Sequence, residues 1–107
     1  MNVRGNDCVG GLLGQLGYDS NWTYGRVNYS YAVGKVKGVY GVGGLVGYNA
    51  DANSKTSYSY YDTETTGQES SDGGTGYTTE KMKSSSTYSG WDANIWNIVD
   101  GQYPTLK

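Results

Sequence analysis

The sequence predicts a mainly all-β protein, in the form of a short β-solenoid of stacked strand repeats with a small C-terminal cap that contains one short helix. Two observations predict this fold class. A glycine-rich motif occurs twice at a spacing of 33 residues, and apolar and aromatic residues alternate with period two between the glycines. The composition agrees, because the 107 residues include 18 Gly and 12 Tyr but only nine Val, five Leu and two Ile. A narrow core needs few aliphatic side chains in each coil.

The repeated motif reads Val-Gly-Gly-Leu-Leu-Gly over residues 9–14 and Val-Gly-Gly-Leu-Val-Gly over residues 42–47. A Tyr-containing segment at residues 28–31 recurs at residues 57–60, where the spacing has fallen to 29. The first copy therefore carries four additional residues, and an insertion confined to one stretch indicates a loop outside the repeated core.

Strands rather than helices are expected between the glycines. Residues 27–33 place Val, Tyr, Tyr and Val at every second position, and three glycines in six motif positions would each cost a helix about 1 kcal/mol. A β-sandwich of short hairpins is the alternative, but its turns would vary in sequence, whereas these repeat. In the solenoid the core is formed by the apolar pair of each motif, or by alternate members of the pairs: Leu12, Leu13, Leu45 and Val46.

The last part of the chain is expected to cap the stack, because the final coil of a solenoid otherwise exposes its core and its strand edges. Residues 78–83 are expected to form the one short helix, with Thr78 or Thr79 as its N-cap. A separately functional small domain is the alternative. The apolar residues expected to cover the coil end are Trp91, Ile95, Trp96 and Ile98. The predicted parts are a first repeat over residues 1–33, a second over residues 34–66 and a cap over residues 67–107.

The composition argues against several functional classes. The chain has no His and a single cysteine, Cys8, which leaves out Ser-His-Asp and Cys-His catalytic sites, His-ligated zinc and an internal disulfide. It has no apolar run of about 18 residues, so we expect no membrane insertion. Eight basic residues against ten acidic ones argue against a nucleic-acid partner. We expect no enzyme activity and no cofactor.

Residues 42–49, Val-Gly-Gly-Leu-Val-Gly-Tyr-Asn, followed by the Ser-Tyr segment at residues 57–60, resemble the GLUG motif. The sequence Tyr-Tyr-Asp-Thr-Glu-Thr-Thr-Gly-Gln over residues 60–68 is similar to the segment that typically ends a GLUG array. The resemblance continues through the C-terminal part and covers almost the whole chain. The first copy departs from it at Leu16, where the motif has Asn, and in its longer loop.

The GLUG resemblance implies a repetitive, β-rich module of a large bacterial or archaeal surface protein, such as an adhesin-like protein. It therefore implies an extracellular or cell-surface location and a non-enzymatic role in adhesion or structural assembly. The implied partners are adjacent repeats of a longer chain or other copies of the same chain, through end-to-end association into oligomers or filaments. The motif defines no catalytic residues that could be carried over.

An alternative function is a carbohydrate- or protein-binding module that contacts glycans or host surface proteins through exposed aromatic rings. The candidates lie in or beside the loops: Trp22, Tyr24 and Tyr48. Asp62 and Glu64 are weak candidates for a calcium site, because their carboxylates are one residue apart. Carboxylates in Gly- and Ser-rich loops more often hydrogen-bond their own turns, and we expect no metal.

The first repeat starts in motif sequence at Val3, with no capping residues before it. Two repeats also fall short of the roughly three that usually bury a continuous solenoid core. We therefore expect the first coil to be completed by upstream repeats or by another copy of the chain.

Overall fold

The computed structural model describes residues 3–16, 26–49 and 55–107. Strands dominate this part of the chain, so the prediction of a mainly β protein is confirmed; the sheets are small and do not close. Two one-turn helices, α1 (Thr63–Thr66) and α2 (Thr79–Met82), and a 3-10 turn over Ser85–Tyr88 follow most of the strands. The described strands are β1 Val3–Arg4, β2 Asp7–Gly10, β3 Leu13–Leu16, β4 Arg26–Asn28, β5 Tyr31–Ala32, β6 Val36–Lys37, β7 Tyr40–Gly43, β8 Val46–Asn49, β9 Lys55–Ser57, β10 Tyr60–Asp62, β11 Thr75–Tyr77, β12 Trp96–Asn97 and β13 Thr105–Leu106.

The strands of the first repeat pair with the equivalent strands of the second, and every one of these pairs is parallel. Strands β1 to β5 lie beside β6 to β10 in the same order. Val9 is opposite Val42, a separation of 33 residues, whereas Tyr31 is opposite Tyr60, a separation of 29. The pairing register therefore has the same two offsets as the sequence repeat, and like residues lie about 4.8 Å apart on neighbouring strands.

Tyrosines with a left-handed backbone interrupt the strands. Tyr29 has φ 51° and Tyr58 has φ 49°, and each lies between two strands of its repeat. The period-two pattern predicts one continuous strand over residues 27–33, but the structure divides this segment into two short strands. The chain turns at Tyr29, which is 44% exposed although it is in register with the buried Val27.

The motif glycines provide space for close contact. Gly44 is buried, and a Cβ atom there would overlap the ring of Tyr61. At Gly43 a Cβ atom would overlap the carbonyl oxygen of Val46. Any larger residue at these two positions would force the aromatic ring or the backbone to move.

The core lies between the two repeats and extends toward the cap. Leu45 and Val46 are fully buried, whereas Leu12 is 45% exposed and Leu13 is only partly buried. Of the four core residues predicted from the motif, only the pair from the second repeat is thus fully enclosed. The buried cluster comprises Leu16, Val27, Ala32, Leu45, Val46 and Tyr61.

The start of the C-terminal segment covers the second repeat on the side away from the first. The Gly44 amide donates to the Ser70 carbonyl at 3.1 Å, and the Asp72 amide donates to the Val46 carbonyl at 3.0 Å. Strand β11 pairs in parallel with β10, which extends the β5–β10 ladder to three strands. At its motif and at β10, the second repeat therefore has a layer on each side.

The predicted helix is α2, with Thr78 as its N-cap. The second helix, α1, was missed. It begins at Asp62, whose side chain accepts hydrogen bonds from the amides of Glu64 and Thr65, and it ends at Gly67 in the left-handed conformation, with φ 72°. An N-cap aspartate and a C-terminal glycine are ordinary helix boundaries, but they stand so close together that only one turn fits between them.

Aromatic rings form most of the cap interior. Trp91 is 5% exposed, its ring centroid is 4.8 Å from that of Tyr88 and 4.5 Å from that of Trp96, and its indole N–H donates to the Tyr58 carbonyl at 2.8 Å. Ile95, expected in this covering cluster, is instead 54% exposed, because the tryptophans and tyrosines already fill the interior.

Replacing Gly44 with Ala should lower the free energy of unfolding by about 1–3 kcal/mol, because the added methyl group would overlap the Tyr61 ring. Urea denaturation measures the effect.

The control for this substitution is Gly67→Asn. Gly67 has open space around it, and Asn is among the residues that best tolerate its left-handed conformation, so the change should cost less than about 1 kcal/mol. Equal effects of the two substitutions would contradict the close packing of Gly44 on Tyr61.

Candidate functional site

The outer side of the first repeat carries a shallow, largely apolar depression, which we call the first-repeat face. It has a volume of about 390 Å³ and is lined by residues of β1, β2 and the start of β3, among them Val3, Val9 and Leu12. Leu12 contributes the largest exposed apolar side chain of this face. Among the described strands, β1 to β3 are paired along one edge, with the second repeat.

The backbone hydrogen bonds between layers follow a repeating pattern. The Gly11 amide donates to the Gly44 carbonyl at 3.1 Å, and the Gly44 amide donates in turn to the Ser70 carbonyl at 3.1 Å. By the same pattern the Gly11 carbonyl is the equivalent acceptor on the first-repeat face. The first-repeat face therefore offers a further coil the same acceptor that the second repeat offers to the first repeat.

Two exposed tyrosines stack across the repeats. The ring centroids of Tyr29 and Tyr58 are 5.1 Å apart and the rings are almost parallel, with an interplanar angle of 3°. Gly90 lies against Tyr58, since a Cβ atom there would be 2.8 Å from the tyrosine ring. Beside this stack lies a second depression, the junction cleft, with a volume of about 300 Å³ and lined by Tyr29, Gly90, Asp92, Ile95 and Trp96.

The calcium candidate Asp62 is fully buried, and protein donors surround its carboxylate. Its Oδ1 accepts hydrogen bonds from the amides of Glu64 and Thr65, at 2.9 and 3.1 Å. The Thr79 hydroxyl donates to the carboxylate at 2.8–2.9 Å and the Tyr103 hydroxyl donates to Oδ2 at 2.5 Å. Asp62 thus joins β10, both helices and the C-terminal segment.

The Asp62 contacts shift two pKa values. Burial alone would raise the pKa of Asp62, but hydrogen bonds from Tyr103, Thr79 and the two amides outweigh it and lower the pKa. Burial, followed by the bond to the Asp62 carboxylate, raises the pKa of Tyr103 to about 12. At neutral pH the pair is a carboxylate and a neutral phenol, which suits a structural contact.

The other predicted site residues are dispersed. The Glu64 carboxylate accepts a hydrogen bond from the Thr79 amide at 2.7 Å, and within the described ranges no three acidic or Cys side chains gather as metal ligands. Tyr48 is 43% exposed on β8, opposite Gln15, and it is not one of the residues that line the junction cleft. Trp22 and Tyr24 lie outside the described residues.

Sequence reasoning missed the junction cleft. Its lining comes from a turn tyrosine of the first repeat and from residues 90–96 of the cap, which are more than 60 positions away in the chain. The period-two pattern predicts Tyr29 on a strand face, and the apolar cluster predicts Trp96 as a residue that covers the coil end. The high aromatic content of the sequence indicates that some rings could bind a ligand. No spacing in the sequence, however, shows that these two segments lie side by side.

No protein-family model and no solved structure matches the chain. The chain is 41% identical over 103 residues to a protein of Evansella cellulosilytica named "Putative Gly-rich membrane protein", and the match covers 90% of the chain. The chain spans only 11% of the length of that curated relative. None of the helices in the described ranges is long and apolar enough to cross a membrane.

Replacing Asp62 with Asn should destabilise the protein by about 1.5–3 kcal/mol at pH 7, because hydrogen bonds to a buried charged acceptor are weakened. Since the folded-state pKa of Asp62 is lowered, its contribution is present above the ordinary Asp value of about 3.9 and is lost as the pH falls below it. Urea denaturation at pH 7 and at acid pH should show a smaller loss on acidification for the variant than for the unmodified chain.

Asp100→Asn is the matched control, because Asp100 is exposed and its hydrogen bonds come from one residue, Ser85, whose amide donates at 2.7 Å. Its effect at pH 7 should be smaller than that of Asp62→Asn. An unchanged pH dependence in the Asp62 variant would contradict the assignment of Asp62 as the joining residue of the cap.

Proposed function

We propose that the chain is a non-enzymatic, extracellular module for adhesion or structural assembly, and that it forms the capped end of a short β-solenoid of GLUG-type repeats. The observation that carries this proposal is the parallel, in-register pairing of equivalent strands at the two offsets of the sequence repeat. Further repeats can add through the same kind of interface, because the pairing groups on one side of a repeat are complementary to those on its other side.

Assembly takes place through the first-repeat face. The outward Gly11 carbonyl and the partly exposed Leu12 correspond to groups that are bonded or buried in the second repeat, Gly44 and Leu45. Another coil placed on this face would bury Leu12 as the first repeat buries Leu45.

The C-terminal segment makes the assembly directional. Ser70 and Asp72 already bond the outer edge of the second repeat, and β11 covers β10. Among the described residues, the C-terminal segment therefore already occupies the outer edge of the second repeat at Gly44, Val46 and β10, where a further coil would pair. The partner that fits the first-repeat face is a motif coil that presents an amide to the Gly11 carbonyl, as a preceding repeat of a longer chain would.

The relative supports a place at the cell surface. Its name describes a membrane protein, and it is about nine times as long as the matched region, since the chain spans 11% of it. A small, repetitive unit within a long surface chain agrees with the GLUG resemblance and with the role in adhesion or assembly that the resemblance implies.

An extended chain tests the stacking proposal. Joining a copy of residues 34–66 ahead of residue 1 should place a motif coil on the first-repeat face and bury Leu12. Leu12→Ala should then cost about 2–5 kcal/mol of unfolding free energy in the extended chain. In the original chain, where Leu12 is 45% exposed, the same substitution should cost less than about 1 kcal/mol.

Leu45→Ala is the control. Because Leu45 is already fully buried, its substitution should lower the free energy of unfolding by about 2–5 kcal/mol in both chains. Chemical denaturation of the four variants and the two parents gives the comparison. If Leu12→Ala costs the same small amount in both chains, no coil stacks on this face and the proposed assembly is wrong.

A further inference from the structure

The junction cleft lies where the first repeat meets the cap, apart from the first-repeat face. Two of its five lining residues are aromatic, Tyr29 and Trp96; Ile95 and Gly90 are apolar, and Asp92 provides a carboxylate. Its volume of about 300 Å³ is at the small end of the range for ligand pockets, about 300–1,000 Å³. A ligand of one or two rings fits this size.

Each of the two aromatic rings that line the cleft packs against another aromatic ring. Tyr29 stacks on Tyr58 with centroids 5.1 Å apart, so its ring orientation is fixed although it is 44% exposed. Trp96 lies 4.5 Å from Trp91 and 6.2 Å from Tyr31, centroid to centroid. A ligand that binds against rings already in place loses less free energy to the ordering of side chains.

Asp92 supplies the polar group of the cleft. Its Oδ1 accepts a hydrogen bond from the Asn94 amide at 2.8 Å, which fixes the carboxylate in an Asx turn. The side chain is exposed, and its second oxygen remains an acceptor for hydroxyl groups of a ligand. Gly90 adds no side chain, since a Cβ atom there would collide with Tyr58.

We propose that the junction cleft binds a neutral saccharide of one or two pyranose rings. A pyranose ring has an apolar face of C–H groups, which suits a flat aromatic wall, and a rim of hydroxyl donors, which suits a carboxylate. Tyr29 and Trp96 provide the walls and Asp92 accepts from the hydroxyls.

A quaternary ammonium ion is the competing ligand, because aromatic faces and a carboxylate also attract cations. The cleft favours the saccharide, since its remaining walls are an isoleucine and a glycine rather than further rings that would enclose a charge. Asp92 also disfavours an acidic sugar, because two carboxylates would repel each other. The ligand is therefore expected to carry no charge.

The test is a titration of the isotope-labelled chain, followed by amide chemical shifts, with lactose, cellobiose, sialyllactose and choline at concentrations up to about 10 mM. At least one neutral disaccharide should cause saturable shifts at Tyr29, Gly90, Asp92 and Trp96. Sialyllactose should bind more weakly than lactose if lactose binds, and choline should cause no saturable shift at these residues.

Tyr29→Asn should weaken binding of that disaccharide at least about tenfold, because it removes a stacking wall while Asn tolerates the left-handed backbone. Asp92→Asn should weaken it only a few-fold, since the amide oxygen still accepts hydrogen bonds. Tyr40→Ala is the matched control: it removes a tyrosine that is 66% exposed and does not line the cleft, and it should leave the affinity unchanged.

Three results would overturn the proposal: no saturable shift with either neutral disaccharide, full affinity of a folded Tyr29→Asn variant, or saturable choline binding that Asp92→Asn abolishes. The cleft does not depend on coil stacking, because none of its lining residues lines the first-repeat face. Loss of either property therefore leaves the other measurable.

Discussion

Parallel backbone pairing between like residues of the two repeats is the constraint on which the other features depend. It sets Val9 beside Val42 and Leu13 beside Val46, so each layer has to match the one next to it in shape. Glycine is needed where the layers leave no room for a Cβ atom, as at Gly44 beneath Tyr61. The glycine content follows from this close approach more than from flexible loops.

Aromatic rings take the place of the aliphatic side chains that the sequence lacks. In the repeats, Tyr61 closes the small core that Leu45 and Val46 form. In the cap and where it meets the repeats, tyrosines and tryptophans contact one another, and their polar ends have partners. The Tyr31 hydroxyl of the first repeat donates to the Pro104 carbonyl at 2.6 Å, and the Tyr88 hydroxyl of the cap donates to the Met82 carbonyl at 2.6 Å. Rings buried in this way both fill volume and fix the path of the backbone.

The repeat could be predicted from the sequence because stacked layers require like residues at a constant spacing, and Gly43, Leu45 and Val46 mark that spacing clearly. The α2 helix could be predicted from its N-cap threonine. The turns at Tyr29 and Tyr58 could not, because a left-handed backbone at a non-glycine residue is uncommon and these tyrosines also fit a strand pattern.

The role of Asp62 and the position of the junction cleft also could not be predicted from the sequence. Asp62 and Glu64, with one residue between them, resemble a pair of loop carboxylates, and the half-buried partners of Asp62, Thr79 and Tyr103, are 17 and 41 positions away. The cleft joins Tyr29 to Trp96, which are further apart still, at 67 positions. Contacts of this kind depend on how the cap folds back onto the repeats, and neither composition nor periodicity encodes that path.

Through-space proton contacts measured by NMR test the stacking of the repeats most directly. The account predicts contacts between backbone protons of Val9 and Val42 and between those of Leu13 and Val46, in the pattern of a parallel ladder. An antiparallel pattern that joins strands within one repeat, with no contacts between these pairs, would contradict it.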